Sequence, residues 1–414
     1  MIATLPPYPP NSGGRQRTNL MYQALSECGH VDLLLIFFPA LITPDQIEYA
    51  KKHFNLVAFI PLKIYRERWP IPMRIFPWLL KDRIRPLLER NKSKYLPHPF
   101  AQMYLDKLLG RHHYDVIVGR YLLPFCKANA FRYRPLILDV DDIDFMLYHT
   151  QSKMPGISWP ERIILDKKRQ QAEQATRHKL MHCEHLWFSS ESDKTLIGLD
   201  NSSALPNIPF IAYKDYSIAP HQQWTLGSKV ILIVGDTTYG PNRDGIMRFL
   251  TEVWPQIRMA ESDAFLRIAG TLLPKDRSYW EKIKGVELLG FVKDLSQIYK
   301  NSSFTVAPIF FGGGTKIKVL ESLAYRRTCV VTPHAHYGYE HIFKHQESII
   351  RSESPSDMAQ DCIWLLQNPD ICKSMGEKGY QIVKKYYSFD RFKEIVVNTV
   401  EQVVSHHKGI SKRV

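Results

Sequence analysis

The sequence predicts an α/β protein built from two parallel-sheet units. Three observations carry that prediction. Short apolar runs alternate with helix-period patterns along most of the chain. Each half opens with an apolar run followed by a Gly-rich turn. The length, 414 residues, exceeds what one hydrophobic core usually serves.

The elements follow in order. A short strand-like stretch and four prolines lead into Gly13-Gly14-Arg15-Gln16-Arg17, after which Leu20, Met21, Ala24 and Leu25 recur at helical spacing. Gly29 closes that helix, and residues 31–38 read as a buried strand. Further strands are predicted at 55–60, 115–118, 135–140 and 185–189, with helices between them, among them a long one over 161–181. Near Pro206-Asn207-Ile208-Pro209 the periodicity stops. A first domain is therefore drawn over residues 1–208 and a linker over 209–228. A second series starts at Val230-Ile231-Leu232-Ile233-Val234-Gly235, with later strands at 264–269, 286–289, 304–307 and 328–331. The second domain is drawn over 229–385, and residues 386–414 end in the basic tail HHKGISKRV. Two similar halves imply a ligand cleft between them.

Composition narrows the class. With 44% hydrophobic and 23% charged residues, the chain is neither disordered, fibrous nor repeat-built. Cys28, Cys126, Cys183, Cys329, Cys362 and Cys372 are scattered without C-x-x-C spacing, which predicts free thiols in a reducing compartment. The N-terminus lacks a signal-peptide pattern, and no apolar run reaches membrane-spanning length. A soluble or peripheral cytoplasmic protein is expected.

The net charge of +14 predicts anionic partners. Residues 63–94 hold ten Lys and Arg against three Asp and Glu, interleaved with Trp69, Phe76 and Trp78. This pattern predicts contact with an anionic membrane surface, on the inner face of the cell membrane, with a solvated basic face as the alternative. No helix-turn-helix, zinc-finger or RNA-binding signature accompanies it, so nucleic acid is not an expected partner.

The most informative stretch is Phe310-Phe311-Gly312-Gly313-Gly314-Thr315-Lys316-Ile317-Lys318-Val319-Leu320-Glu321. An apolar strand runs into three glycines and then a helix. Accessible backbone N–H groups, a helix N-terminus and a mobile cation, Lys316 or Lys318, suit a diphosphate. Glu321 lies inside the helix, where a carboxylate can accept hydrogen bonds from sugar hydroxyls. The order is not that of an ATPase P-loop, because Thr315 precedes the lysine. Gly13, Gly14 and Arg15 form a second candidate anion nest, with Arg17 read as surface. In the second half, Gly235 permits close backbone approach, Asn242 or Asp244 is expected to cap a helix, and Arg243 is a candidate for phosphate. The backbone around Phe291 and Val292 is a candidate for a base edge. The cluster Asp139-Val140-Asp141-Asp142-Ile143-Asp144 follows an apolar strand, where α/β proteins place ligands. Asp141, Asp142 and Asp144, with Arg120 and His149 nearby, are the acceptor-side candidates.

Together these motifs resemble the retaining glycosyltransferases of the GT-B fold, in particular the family 4-like group (glycosyl transferases group 1). The resemblance runs through PPYPPNSGGRQRTNLMYQAL, LILDVDDID, the PN at 206–207, VGDTTYGPNRDGIMRFL, LRIAG, GVELLGFVKDLSQIY and PIFFGGGTKIKVLESLA. It implies two Rossmann-like parallel-sheet domains facing across a cleft, the last helix crossing back to the first domain. It also implies a nucleotide-sugar, UDP- or GDP-linked, held mainly by the second domain. Gly14 would lie by the donor diphosphate, Lys316 and Lys318 would neutralise it, and Glu321 would bind the donor ribose. The first domain would take a glycan or lipid-linked acceptor, and the reaction would be a hexosyl transfer with retention that needs no metal or other cofactor. Lys316, Glu321 and Asp142 are the catalytic candidates. Two departures stand out: Gly313 occupies the position of a Glu that contacts the transferred sugar, and Asp141-Asp142 stand where an acceptor-side His is usual.

Two other readings stay open. LILDVDD resembles the start of a haloacid-dehalogenase-type phosphatase with Asp139 as nucleophile and Asp141 as acid. A non-catalytic sugar- or nucleotide-binding protein with a degenerate transferase fold is the second.

Overall fold

In the computed structural model, residues 1–10, 12–37, 42–62, 95–154, 156–211 and 229–411 are described. The predicted membrane-contact segment 63–94 and nearly all of the predicted linker lie outside them. The chain forms two compact units, Met1–Leu205 with Lys393–Val414, and Pro206–Phe392. The terminal helix Phe389–Ser411 thus begins in one unit and continues as part of the other. Among the described residues no helix is long and apolar enough to cross a membrane.

The first unit carries a seven-stranded sheet. Its strands are β1 (Ile2–Ala3), β2 (Leu33–Phe37), β3 (Leu56–Pro61), β4 (Ile117–Arg120), β5 (Leu136–Asp141), β6 (His185–Phe188) and β7 (Ser202–Ala204). They lie in the order β3-β2-β1-β4-β5-β6-β7, all pairs parallel. β2 shows why parallel strands read as unbroken apolar runs. Leu34 and Ile36 join the core on one face, while Leu33, Leu35 and Phe37 join the cluster on the other. Helices cover both faces. In Trp159–Leu180, Ser158 and Glu161 form a capping box, and Arg177, His178 and Lys179 stand in the last turn, matching the helix dipole at each end.

The second unit repeats the plan with β8 (Val230–Val234), β9 (Phe265–Ala269), β10 (Val286–Gly290), β11 (Phe304–Ala307), β12 (Cys329–Val331) and β13 (Ile350–Arg351). The order is β10-β9-β8-β11-β12-β13, again all parallel. In each sheet the strand order reverses beside its first strand, between β1 and β4 and between β8 and β11. Ligands of open parallel sheets bind outside the C-terminal strand ends at such a reversal.

Each predicted strand is present, within about two residues at its ends. β7 and β13 were not foreseen. Both are short sheet-edge strands, and Ser202-Ser203-Ala204 offers no apolar alternation to read. Helix Gly240–Arg248 runs through a wide turn at Phe249–Val253 into Trp254–Ala260. Pro255, without an N–H, cannot make the regular backbone bond there.

Candidate functional site

Beside the strand reversal of the second unit, Gly235 follows β8, and residues 308–311 lead from β11 to the glycine turn. Gly312 and Gly314 take φ of 123° and 60°, and the helix Ile317–Ala324 follows with Lys316 at its N-cap. The positive φ values explain why this turn is glycine. Helix Ile317–Ala324 is anchored by its apolar face (Val319, Leu320, Leu323 and Ala324 are buried) and by Ser322, whose Oγ donates to the Arg327 carbonyl at 2.7 Å. These contacts fix Lys318 and Glu321 on a rigid element.

The two candidate lysines differ. Lys316 is buried, and its Nζ donates to the carbonyls of Gly313, at 2.9 Å, and Gly314. It ties the loop to itself. Lys318 instead reaches across to the end of β8. Its Nζ donates to Asn242 Oδ1 at 2.8 Å, and a Cβ on Gly235 would stand 3.2 Å from that nitrogen. The side chain as a whole is half-buried, but protein surrounds the ammonium. That desolvation, with the Lys316 charge adding to it, holds the Lys318 pKa down to about 8.

Glu321 lies one turn further along the same helix and is 3% exposed. Burial lifts its pKa to about 7, although the Phe210 amide, which donates to Oε2 at 2.7 Å, works in the opposite direction. Thr315, in the loop, accepts a hydrogen bond from Asn207 Nδ2 at 3.0 Å. The His334 ring is hydrogen-bonded to the Gly312 backbone, and burial, then the Lys316 charge, hold its pKa to about 4. This second-unit group therefore brings together Gly235, Gly313, Gly314, Thr315, Lys316, Lys318 and Glu321. It also holds Asn207, Phe210 and His334, which sequence reasoning missed. Asn207 and Phe210 lie more than a hundred residues from their partners, and no local pattern announces such a contact.

Of the remaining second-unit candidates, Asn242 joins this group through Lys318. Neither Asn242 nor Asp244 caps Gly240–Arg248: the N-cap is Tyr239, Asn242 bonds the Asp236 carbonyl and Lys318, and Asp244 pairs with Arg248. The Arg243 guanidinium is engaged by Asp276, with both bonds at 2.7 Å. Phe291 is 67% exposed just past β10, and Val292 packs against the Leu232 cluster.

In the first unit the helix Gly13–Cys28 starts directly at the Gly-Gly turn, with no acidic residue in its first turn. Gly14 is required by space: a Cβ there would come within 2.6 Å of Leu5 Cδ1 and 3.0 Å of Tyr121 Oη. Burial lowers the Arg15 pKa. Arg17 is not a surface residue. It is 1% exposed and grips Asp139 with bonds of 2.9 and 2.7 Å. Arg120, fully buried, donates to Asp141 Oδ2 at 2.7 Å, lies 3.2 Å from Asp139 and covers the Tyr121 ring at 3.8 Å. For both arginines burial alone would lower the pKa, but the charges facing them, including both aspartates, outweigh it and raise it. Asp139, enclosed by two guanidinium groups and 0% exposed, is not presented as a nucleophile.

The acidic cluster therefore divides. Asp139 and Asp141 point into the buried ion network, with Asp141 at φ 51°. Asp142 is exposed, and Asp144, in the first turn of Asp144–Ser152, accepts from Tyr95 Oη at 3.0 Å. Burial, then Lys153 and Arg169, lower the His149 pKa. Arg120 pairs with Asp139 and Asp141 rather than with Asp142 or Asp144. Among the described residues no three His, Cys, Asp or Glu side chains converge as a metal site. All six cysteines are free thiols.

Comparison with known proteins agrees with this architecture. Residues 228–368 match the family model described as "Glycosyl transferases group 1". An uncharacterized 44.6 kDa protein in the cps region of Klebsiella pneumoniae is 21% identical over 403 residues, spanning 94% of this chain and 95% of the relative. Among solved structures, the sucrose-phosphate synthase of Thermosynechococcus elongatus superimposes with a TM-score of 0.66 at 13% identity, over 98% of both chains. TarM of S. aureus, in a complex containing UDP, gives 0.55 at 14% identity over 72% of this chain. The chain spans only 58% of that TarM chain. At these identities the likeness is one of fold: the chain has two Rossmann-like parallel-sheet units of the GT-B fold, and its second unit is related to the group 1 glycosyl transferases.

Proposed function

We propose that the chain is a retaining glycosyltransferase. It moves a sugar from a nucleotide-diphosphate sugar, with uridine or guanosine as the base, to a hydroxyl of a glycan or lipid-linked polysaccharide precursor. One observation carries this reading. A desolvated lysine aimed over the Gly235 turn and a buried carboxylate one turn further stand on one helix, beside the strand reversal of the second unit. The match of residues 228–368 to glycosyl transferases group 1 and the UDP in the TarM complex support it.

The roles follow from the chemistry. Lys318 meets the diphosphate, and its charge gains strength because water is excluded around it. The glycine-loop amides add oriented donors. Lys316 keeps that loop in shape, so its part in this reaction is indirect. Glu321 accepts hydrogen bonds from the ribose hydroxyls once it is ionised. As the bond from the anomeric carbon to the diphosphate breaks, the electron pair leaves with the diphosphate, where Lys318 and the loop amides stabilise it. The acceptor hydroxyl attacks from the same face, its proton passing to the departing phosphate oxygen, and the anomeric configuration is retained. The acceptor belongs to the first unit, with the exposed Asp142 and the half-buried Asp144 and His149 as the side chains that meet it. Residues 63–94 bring the chain to an anionic membrane surface, a reading that rests on their sequence charge.

The test is a calorimetric titration with UDP- and GDP-sugars, followed by NMR of the product anomer. Binding of neither class, or an inverted product, would sink this reading.

A further inference from the structure

The first residues of the second unit, 206–211, make one polar contact with the glycine loop and one with the helix that follows it. Asn207, 6% exposed, donates to Thr315 Oγ1 at 3.0 Å. Three residues on, the Phe210 amide donates to Glu321 Oε2 at 2.7 Å. Ile208 and Ile211 are buried, so apolar contacts seat the segment around these two bonds. The loop needs such support. Its glycines lose more conformational freedom on ordering than other residues and have no side chains to lock them. On its other flank a Cβ at Gly312 would stand 3.0 Å from Tyr239 Oη and 3.2 Å from Pro241. Residues 206–211 and the Tyr239–Pro241 turn thus hold the loop from two sides. An amide-to-hydroxyl bond brings no charge to a phosphate; its effect is on where the loop sits.

We propose that residues 206–211 form a strap that presets the donor loop, with Asn207 a positioning residue acting through Thr315 and the Phe210 amide orienting the Glu321 carboxylate. This rests on the donor reading given above. A carboxylate with one oxygen held by a backbone N–H cannot swing freely, so it meets the ribose hydroxyls in one orientation. A loop already ordered before the nucleotide arrives spares binding the cost of ordering it.

The test compares the native chain with Asn207→Ala, Thr315→Val, their double variant and Thr315→Ser, titrated with UDP and GDP, alongside thermal midpoints. Asn207→Ala and Thr315→Val are each expected to weaken nucleotide affinity by about three- to tenfold, the loss typical of one buried hydrogen bond. The double variant is expected to be no weaker than the poorer single one, because both remove the same bond. Thr315→Ser, which keeps the hydroxyl, is expected to retain native affinity. Unaltered affinity in Asn207→Ala, whatever its midpoint, overturns the strap alone, and so do additive losses in the double variant. A native chain that binds neither nucleotide overturns the donor reading and the strap with it.

Discussion

The two units treat buried charge in opposite ways. In the first, Arg17, Arg120, Asp139 and Asp141 form a closed set of two cations and two anions, each within 3.2 Å of an opposite charge. In the second, Lys318 and Glu321 share a helix face, yet the groups they hydrogen-bond, Asn242 and the Phe210 amide, are neutral. The outcome shows in their protonation. The paired arginines are driven further toward the charged form, whereas Lys318 and Glu321 are both pushed toward neutrality. Opposite charges paired in this way hold one another in the charged form and order the fold. A desolvated, singly supported charge is under tension that a complementary ligand would relieve, which is why the second region is read as the site.

The largest expected effect breaks the closed set. Asp139→Ala removes the two bonds that Arg17 makes to it, leaves Arg120 to Asp141, and is expected to cost about 3–5 kcal/mol in urea unfolding. A loss below about 1 kcal/mol would show that the network is not structural. Next comes Lys318→Ala, expected to weaken UDP or GDP binding by about ten- to a hundredfold, since a charge-assisted contact is lost. Its unfolding free energy should stay level or rise at neutral pH, and a fall would erase the contrast with Asp139.

Protonation sharpens the same contrast. Glu321 titrates near 7 when folded against an ordinary 4.5, so the native chain holds an extra proton between those values. Its stabilising contribution is full below pH 4.5 and is lost as pH rises through about 7. Lys318 titrates near 8 against an ordinary 10.5, so its cost is present below pH 8 and disappears as pH climbs toward 10.5. Urea midpoints of Glu321→Gln should lack the first slope, and those of Lys318→Met the second; slopes equal to the native chain's would overturn the assignment. The smallest effect is expected at Arg243, whose partly exposed ion pair with Asp276 predicts a loss of about 0.5–1 kcal/mol for Arg243→Ala with nucleotide affinity unchanged. A tenfold drop in affinity would return Arg243 to the phosphate site.

What the sequence made legible follows from how local each cause is. Strands such as 230–234 announce themselves because burial on both faces favours an unbroken apolar run. The glycine loop is equally plain, since three consecutive glycines between a strand and a helix have few other uses. Which lysine reaches out of that loop was not legible. Helix Ile317–Ala324 starts one residue after Lys316, and Lys316 turns back on the carbonyls of Gly313 and Gly314 while Lys318 projects toward Gly235. Arg17 was misread for a related reason: an arginine in a helix pattern is usually solvated, and only Asp139, set inside the apolar LILDVD strand, hints that a buried cation must answer it. Asn207 and Phe210 gave no signal, because their partners come from the far side of the sequence.

The division of the terminal helix Phe389–Ser411 has a consequence for biosynthesis. Residues from Lys393 onward complete the first unit: Thr399 Oγ1 receives the Trp187 indole N–H at 3.3 Å, and Lys408 pairs with Asp115 at 2.7 Å. A ribosome makes these residues only after the entire second unit. The nascent first unit therefore lacks the segment that meets the Trp187 indole until the second unit has been made.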